Sequence, residues 1–244
     1  MFIRKTIKTI FLLSLISYLL FLFWHPKLPS QSSIYPDLLF SDPIQTPVKD
    51  KIPYLWKIKD QTYRIVPLFE YSARGLVVSE YDAQNWLDFS HKKDPAQTKD
   101  LCLIWGTNIQ NGIYRDLQYK HGEFTCYIYW DQNQSQKFNG LQFANNHLIP
   151  KNGNLAKLIK SAHIGDQVKI TGQLVNYEIL DTNGKIISTR DTSTIRDDQG
   201  CEIILVSNFE MIQKGFPYLE IKQLLSQIVL ITGVLNFILF LSLP

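Results

Sequence analysis

Two uncharged apolar runs bracket the polar middle of this chain, and they constrain it more than any motif does. Ile10 to Trp24 (IFLLSLISYLLFLFW) and Leu224 to Leu243 (LLSQIVLITGVLNFILFLSL) carry no charged residue. A helix needs about 20 mostly apolar residues to cross a bilayer core, within a range of about 17–25. The second run meets that unaided. The first meets it with Ile7 included and Lys8 snorkelling to the headgroups. Residues 1–24 are therefore expected to form a signal anchor or transmembrane helix, and 221–244 a C-terminal transmembrane helix. The second run is apolar all round, whereas a buried core helix needs only one stripe. Within it Ser226, Gln227, Thr232 and Asn236 are spaced to hydrogen-bond across to a partner helix, with the first span the nearest candidate, and Gly233 permits close approach.

Arg4, Lys5 and Lys8 precede the first span and only Lys27 follows closely. The positive-inside rule puts the N-terminus in the cytoplasm and the following domain outside. No small-residue cleavage site follows the apolar run, so an uncleaved anchor is expected. The predicted location is a bacterial inner membrane, with the central domain facing the periplasm or exterior. The 25 basic and 22 acidic residues give a net charge of +3 and are spread along the chain. That argues against a polyanion-binding surface, which would show a basic cluster.

Residues 25–53 hold six prolines among Ser and Gln, and proline removes backbone donors, so they read as an extended tether. Residues 54–215 are then one β-rich domain. Strands are expected at Phe69–Ser79, Asp100–Trp105, Glu123–Trp130, Gln167–Ile179 and Cys201–Ile212, from β-branched and aromatic enrichment with partial alternation. Gly75 suggests a bulge or bend. Asn154 is placed to cap a short helix whose apolar face is Leu155, Leu158, Ile159 and Ala162. Asn183-Gly184 reads as a turn.

The order β-β-β-α-β-β, with the helix between the third and fourth strands and the start GDQVKITGQLV at Gly165, resembles the OB fold, a five-stranded Greek-key barrel. The fold class expected is thus mainly β: an OB-like five-stranded barrel with one short helix, flanked by two transmembrane helices. The segments GLVVSEYDAQNW, KDLCLIWGTN, FTCYIYW, ANNHL, GDQVKITGQLVNY and TSTIRDDQGCE also resemble uncharacterised bacterial membrane-anchored proteins. That resemblance implies a shared domain and no transferable site.

Cys102, Cys126 and Cys201 each sit in or at the start of a predicted strand. Outside the cytoplasm a close pair is expected to oxidise. In the OB barrel that the chain resembles, the third strand lies between the second and the fifth, which would give Cys126 either of the others as a neighbour and leave the third thiol free. Closing the loop between Cys102 and Cys126 would be worth about 3 kcal/mol in the chain-entropy model. The alternative is three small buried core residues.

No histidine stands at metal-ligand spacing, and no nucleophile motif is present, so neither a metal, a cofactor nor a catalytic residue is assigned. The ligand-binding candidates are Asp82, Trp86, Asp88 and His91 in one polar loop, Asn146 and His147 in ANNHL, and Arg196 and Glu202 around the most polar loop. ANNHL also reads as Asx-turn chemistry leading out of a strand. Trp105, Tyr127, Tyr129 and Trp130 raise single-stranded nucleic acid as a ligand, but stacking rings need a basic groove, and the Glu123–Trp130 strand has no Lys or Arg. The leading expectation is a membrane-anchored extracytoplasmic binding or assembly module with a protein or envelope saccharide partner. The rivals are a cell-envelope hydrolase using loop carboxylates or histidine, and a structural scaffold working through its helices.

Overall fold

The computed structural model describes residues 2–23, 28–58, 60–195 and 200–241. In chain order the elements are α1 (Phe2–Phe23), α2 (Asp37–Phe40), β1 (Ile44–Pro47), β2 (Tyr54–Ile58), β3 (Gln61–Tyr81), β4 (Lys99–Ile104), α3 (Thr107–Gln110), β5 (Gln118–His121), β6 (Cys126–Tyr129), α4 (Gln132–Ser135), β7 (Phe143–Pro150), α5 (Gly153–Lys160), β8 (Gln167–Leu180), β9 (Ile186–Arg190), β10 (Glu202–Gln213) and α6 (Tyr218–Leu241). They form two compact units, one of residues 1–27 with 216–244 and the other Leu28–Gly215.

In the helical unit α1 packs along α6. Within α6, Ile221–Leu239 is long and apolar enough to cross a membrane. A Cβ on Gly233 would lie 3.3 Å from the Phe11 ring, so the glycine does permit close approach. The polar residues of α6 act differently from the expectation. Thr232 donates its hydroxyl to the Ile228 carbonyl at 2.6 Å, Asn236 donates to the Thr232 carbonyl at 2.9 Å, and Ser226 donates to the Gln223 carbonyl at 2.7 Å. Short polar side chains reach the carbonyl one turn back in their own helix, and Gln227 is exposed.

The Leu28–Gly215 unit is mainly β, built on a mixed eight-stranded sheet with a separate two-stranded hairpin, β5–β6. β3 pairs with β4, β4 with β7, β7 with β10, β10 with β8, and β8 again with β3. The β7–β10 pair is parallel and the others of this ring are antiparallel. β1, β2 and β9 add on as flanking strands.

Alternation explains how two cores form. In β8, Val168, Ile170 and Leu174 join Leu101, Leu103, Leu148, Ile204 and Val206 in one cluster. Beyond Leu174 the buried parity switches, and Val175, Tyr177 and Ile179 join Tyr63, Ile65, Ile203 and Leu205 in a second. The switch falls opposite the register break between Pro67 and Phe69 in β3. An extra residue in one strand re-aims the side chains that follow, and Pro67 sits at this irregularity inside the long β3, which begins at Gln61 and not at the expected Phe69. β4 is buried along its whole length. Leu101 and Leu103 face the first core, while Cys102 and Ile104 face a third, with Leu38, Ile109 and Tyr114.

Gly172 is required by backbone approach. A Cβ there would stand 2.3 Å from the Leu205 carbonyl oxygen, where β10 breaks register between Val206 and Asn208. Gly75, expected at a bulge or bend, instead sits in regular register with Val168, and its role is close packing: a Cβ there would lie 2.8 Å from that of Leu103.

Three local readings are corrected. The Pro-rich stretch from Leu28 packs against the sheet: Leu38 is fully buried, its carbonyl accepts from the Gly106 amide at 2.8 Å, and Trp105 donates its indole N–H to Asp42 at 2.9 Å. Prolines keep the regular elements short, here α2 and β1, without preventing a few apolar anchors from docking. The third ring strand is Phe143–Pro150, not Glu123–Trp130, whose Cys126–Tyr129 core lies in the hairpin. The cap of α5 is Asn152, which accepts from the Leu155 amide at 3.0 Å.

Candidate functional site

Register alone assembles the site. In the β4–β7 ladder Asp100 stands opposite His147 and Cys102 opposite Asn145. In the parallel β7–β10 ladder Glu202 stands opposite Asn146. Cys201, one residue earlier, is therefore level with Asn145. Directly opposed residues share a face, so Asp100, Cys102, Asn145, His147 and Cys201 lie side by side on three adjacent strands. The hairpin supplies the lid: His121 and Cys126 are opposed across β5–β6, and a Cys102–Cys126 disulfide joins the hairpin to the sheet.

Asn145 sits at the centre. Its Oδ1 lies 3.2 Å from His121 Nε2 and 3.7 Å from the Cys102 sulfur. Its Nδ2 donates to the Phe124 carbonyl at 3.2 Å and approaches the Cys201 sulfur at 3.4 Å. Cys201, the free thiol, is partly exposed and directs its S–H at the Phe124 carbonyl, 3.6 Å away.

His147 and Asp100 are both buried, with Nδ1 2.7 Å from Oδ2. That is ion-pair distance, off the axis of a well-formed hydrogen bond. Cys201 lies diagonal to His147 on the same face of the β7–β10 pair, whose register sets His147 opposite Ile203. Burial works against charge on the ring, but the Asp100 carboxylate and the Cys201 sulfur outweigh it and raise His147 to about 9. A thiol, an imidazole and a carboxylate thus neighbour one another on this face. Burial, by contrast, pushes His121 below the usual histidine range against the opposing pull of its hydrogen bonds and Asp100.

The donor atoms of Cys102, His121 and Cys126 lie within 4.8 Å of one another. Metal ligation uses thiolates, and sulfurs joined to each other do not supply them.

Asp88 and His91, two of the predicted residues, form a second buried pair with Nδ1 2.5 Å from Oδ2. Burial pushes the Asp88 carboxyl up. Hydrogen bonds from the His91 amide and ring and from the Tyr81 hydroxyl outweigh this and hold it below the usual range. The pair adjoins the cysteine cluster through rings: His91 lies 4.7 Å from Phe124, and Tyr81 lies 5.9 Å from both His91 and His121.

A cavity of about 580 Å³ opens beside these groups, with Cys126, Tyr127, Trp130, Phe138, Leu141 and Cys201 among its walls, and Glu202 lines it too. This size is ordinary for a small-ligand or peptide side-chain site. The predicted candidates therefore divide. Asp88, His91, His147 and Glu202 gather at or next to the cluster. Asn146 is fully buried and spends its amide on the Leu101 and Ala144 carbonyls, a strand-joining role. Asp82 is exposed and turns back to accept from the Gln84 amide at 2.9 Å. Trp86 is 80% exposed, with Leu87 and Phe89 exposed beside it. Arg196 lies outside the described residues. Asp100, Asn145 and His121 were not among the sequence candidates. Recognising ANNHL as a strand opposite KDLCL would have found the first two.

Compared with known proteins, the chain matches no family model, no curated protein and no solved structure.

Proposed function

We propose that this chain is a membrane-anchored binding module whose β unit faces a non-cytosolic space and takes a peptide or saccharide segment of a partner in the cavity beside Cys201. The observation that carries this reading is the cavity itself: exposed aromatic rings of Tyr127 and Trp130 over a polar floor that includes Asn145 and Glu202. Rings supply contact area at little conformational cost, and a few polar groups fix orientation.

The strand ring supports an OB-like barrel. Its order β3-β4-β7-β10-β8, its parallel third-to-fifth pair and the helix α5 between the third and fourth ring strands are those of that Greek-key class, whose strand faces and rims hold oligosaccharides and oligonucleotides. The paired sulfurs suit an oxidising compartment. The apolar stretch of α6 suits an anchor, with α1 read as the second span. A photo-crosslinking residue in place of Tyr127, introduced in intact membranes, tests the reading. A discrete adduct is expected there and none from the same group at Lys185 in the exposed β8–β9 turn. Equal or absent crosslinking at both positions contradicts it.

The rival envelope enzyme gains support from one feature, the alignment of Cys201, His147 and Asp100. Asp82 stands apart from the other carboxylates, so the paired-carboxylate form of that reading does not gain. A scaffold acting through polar residues of α6 is not favoured, because the bonds of Ser226, Thr232 and Asn236 close on their own helix.

A further inference from the structure

All three sulfurs of the chain converge on one small region. Cys126 and Cys201 line the same cavity. Asn145 touches both the Cys102 and the Cys201 sulfurs. Cys201 contacts the carbonyl of Phe124, two residues from Cys126. The bridge is asymmetric: Cys102 is fully buried in β4, whereas Cys126 is partly exposed at the cavity wall. Of its two sulfurs, Cys126 is thus the one a nucleophile in the cavity reaches.

We propose that Cys201 is a reactive thiol for thiol–disulfide exchange, held by the His147–Asp100 pair, and that its first partner is the Cys102–Cys126 bridge. In the step, the Cys201 proton passes to solvent in the cavity and the thiolate, beside the charged His147 ring, attacks Cys126 Sγ. A Cys126–Cys201 bond forms and the Cys102–Cys126 bond breaks, with its electron pair leaving on Cys102. The Cys102 thiolate then takes up a proton from solvent in the cavity, and His147 stays charged throughout. One disulfide and one thiol stand on each side, and no oxidant or reductant is consumed. Asp100 and His147 are positioning residues. They hold a positive ring beside the attacking sulfur, and the thiolate is the form that attacks a disulfide. A disulfide presented by a peptide in the cavity meets the same thiolate, so the chemical class of substrate is a cystine-bearing polypeptide.

The test uses the full chain in detergent micelles, incubated in a glutathione redox buffer, then quenched in acid and alkylated under denaturing conditions. Peptide mass spectrometry reads which cysteine carries the single label. Exchange divides the label between Cys201 and Cys102, with Cys102 taking at least several per cent. Label confined to Cys201 overturns the proposal. In Cys102→Ser the same buffer is expected to give a Cys126–Cys201 bridge, and two free thiols in a chain that keeps the wild-type near-UV spectrum overturn it. Misfolding of that variant offers no escape, because the wild-type partition reads the same exchange without a substitution. His147→Gln is expected to slow the appearance of label on Cys102 at least tenfold while the label at equilibrium is still shared. An unchanged rate removes the positioning role.

Discussion

The His147–Asp100 pair makes the stability of the β unit depend on pH in a defined window. His147 is 2% exposed and Asp100 fully buried, so solvent screens the pair little. In the unfolded chain histidine titrates near 6.5, and in the folded protein His147 titrates at about 9. The charged ring is thus bound more favourably by the fold. The contribution is complete below about pH 6.5 and is lost as pH rises through about 9. At about 1.4 kcal/mol per pKa unit, the whole effect is about 3 kcal/mol. Asp100→Asn keeps the shape and removes the charge, leaving burial to favour the neutral ring. Urea unfolding of both proteins in micelles, followed by the fluorescence of buried Trp105, gives the difference in stability at each pH. Groups common to the two chains cancel. The gap is expected to be about 3 kcal/mol at pH 6, shrinking toward zero by pH 10. Parallel curves from pH 6 to pH 10 refute the assignment of a charged His147 in the fold.

Removing the bridge by replacing Cys102 and Cys126 with Ala, which opens a loop with sequence separation 24, should cost about 3 kcal/mol, seen as a lower denaturation midpoint that no longer responds to reductant. Gly172→Ala drives a methyl into the Leu205 carbonyl and should destabilise the unit by about 3 kcal/mol or more, read as a large drop in Tm against a conservative Val168→Ile control. Leu38→Ala, at a fully buried position, should cost about 2–5 kcal/mol. A cost under about 0.5 kcal/mol would mean that the Pro-rich segment is a free tether after all.

The strands most legible in the sequence are long β-branched runs. β8 alternates on either side of its parity switch and β10 opens on five buried residues, the last four shared between two cores, and the reading of both from sequence was close to the observed bounds. β7 escaped because its face toward the cluster is Asn145 and His147, side chains that look like a turn until each is seen to bond Cys102, Cys201, His121 or Asp100. A buried polar network is invisible to a hydrophobic period. β6 misled in the opposite way. Its rings and β-branched residue read as core strand, yet they belong to a hairpin pinned from outside by the disulfide. The anchors Ile34 and Leu38 lay hidden among prolines for a related reason: docking needs two or three apolar contacts and at most one helical turn. The site suffered most, because Asp100, His147 and Cys201 are remote in sequence and become neighbours only through the antiparallel β4–β7 and parallel β7–β10 pairings.

The pinned hairpin over a free thiol is the element on which the cavity, the compartment and the exchange chemistry all depend. Its most direct measurement is a thiol count. The chain is isolated from membranes with excess alkylating reagent present throughout, denatured without reductant, and weighed by intact mass spectrometry. The expected mass gain is that of one alkyl group, rising to three only after reduction. Three groups added before reduction would contradict the account.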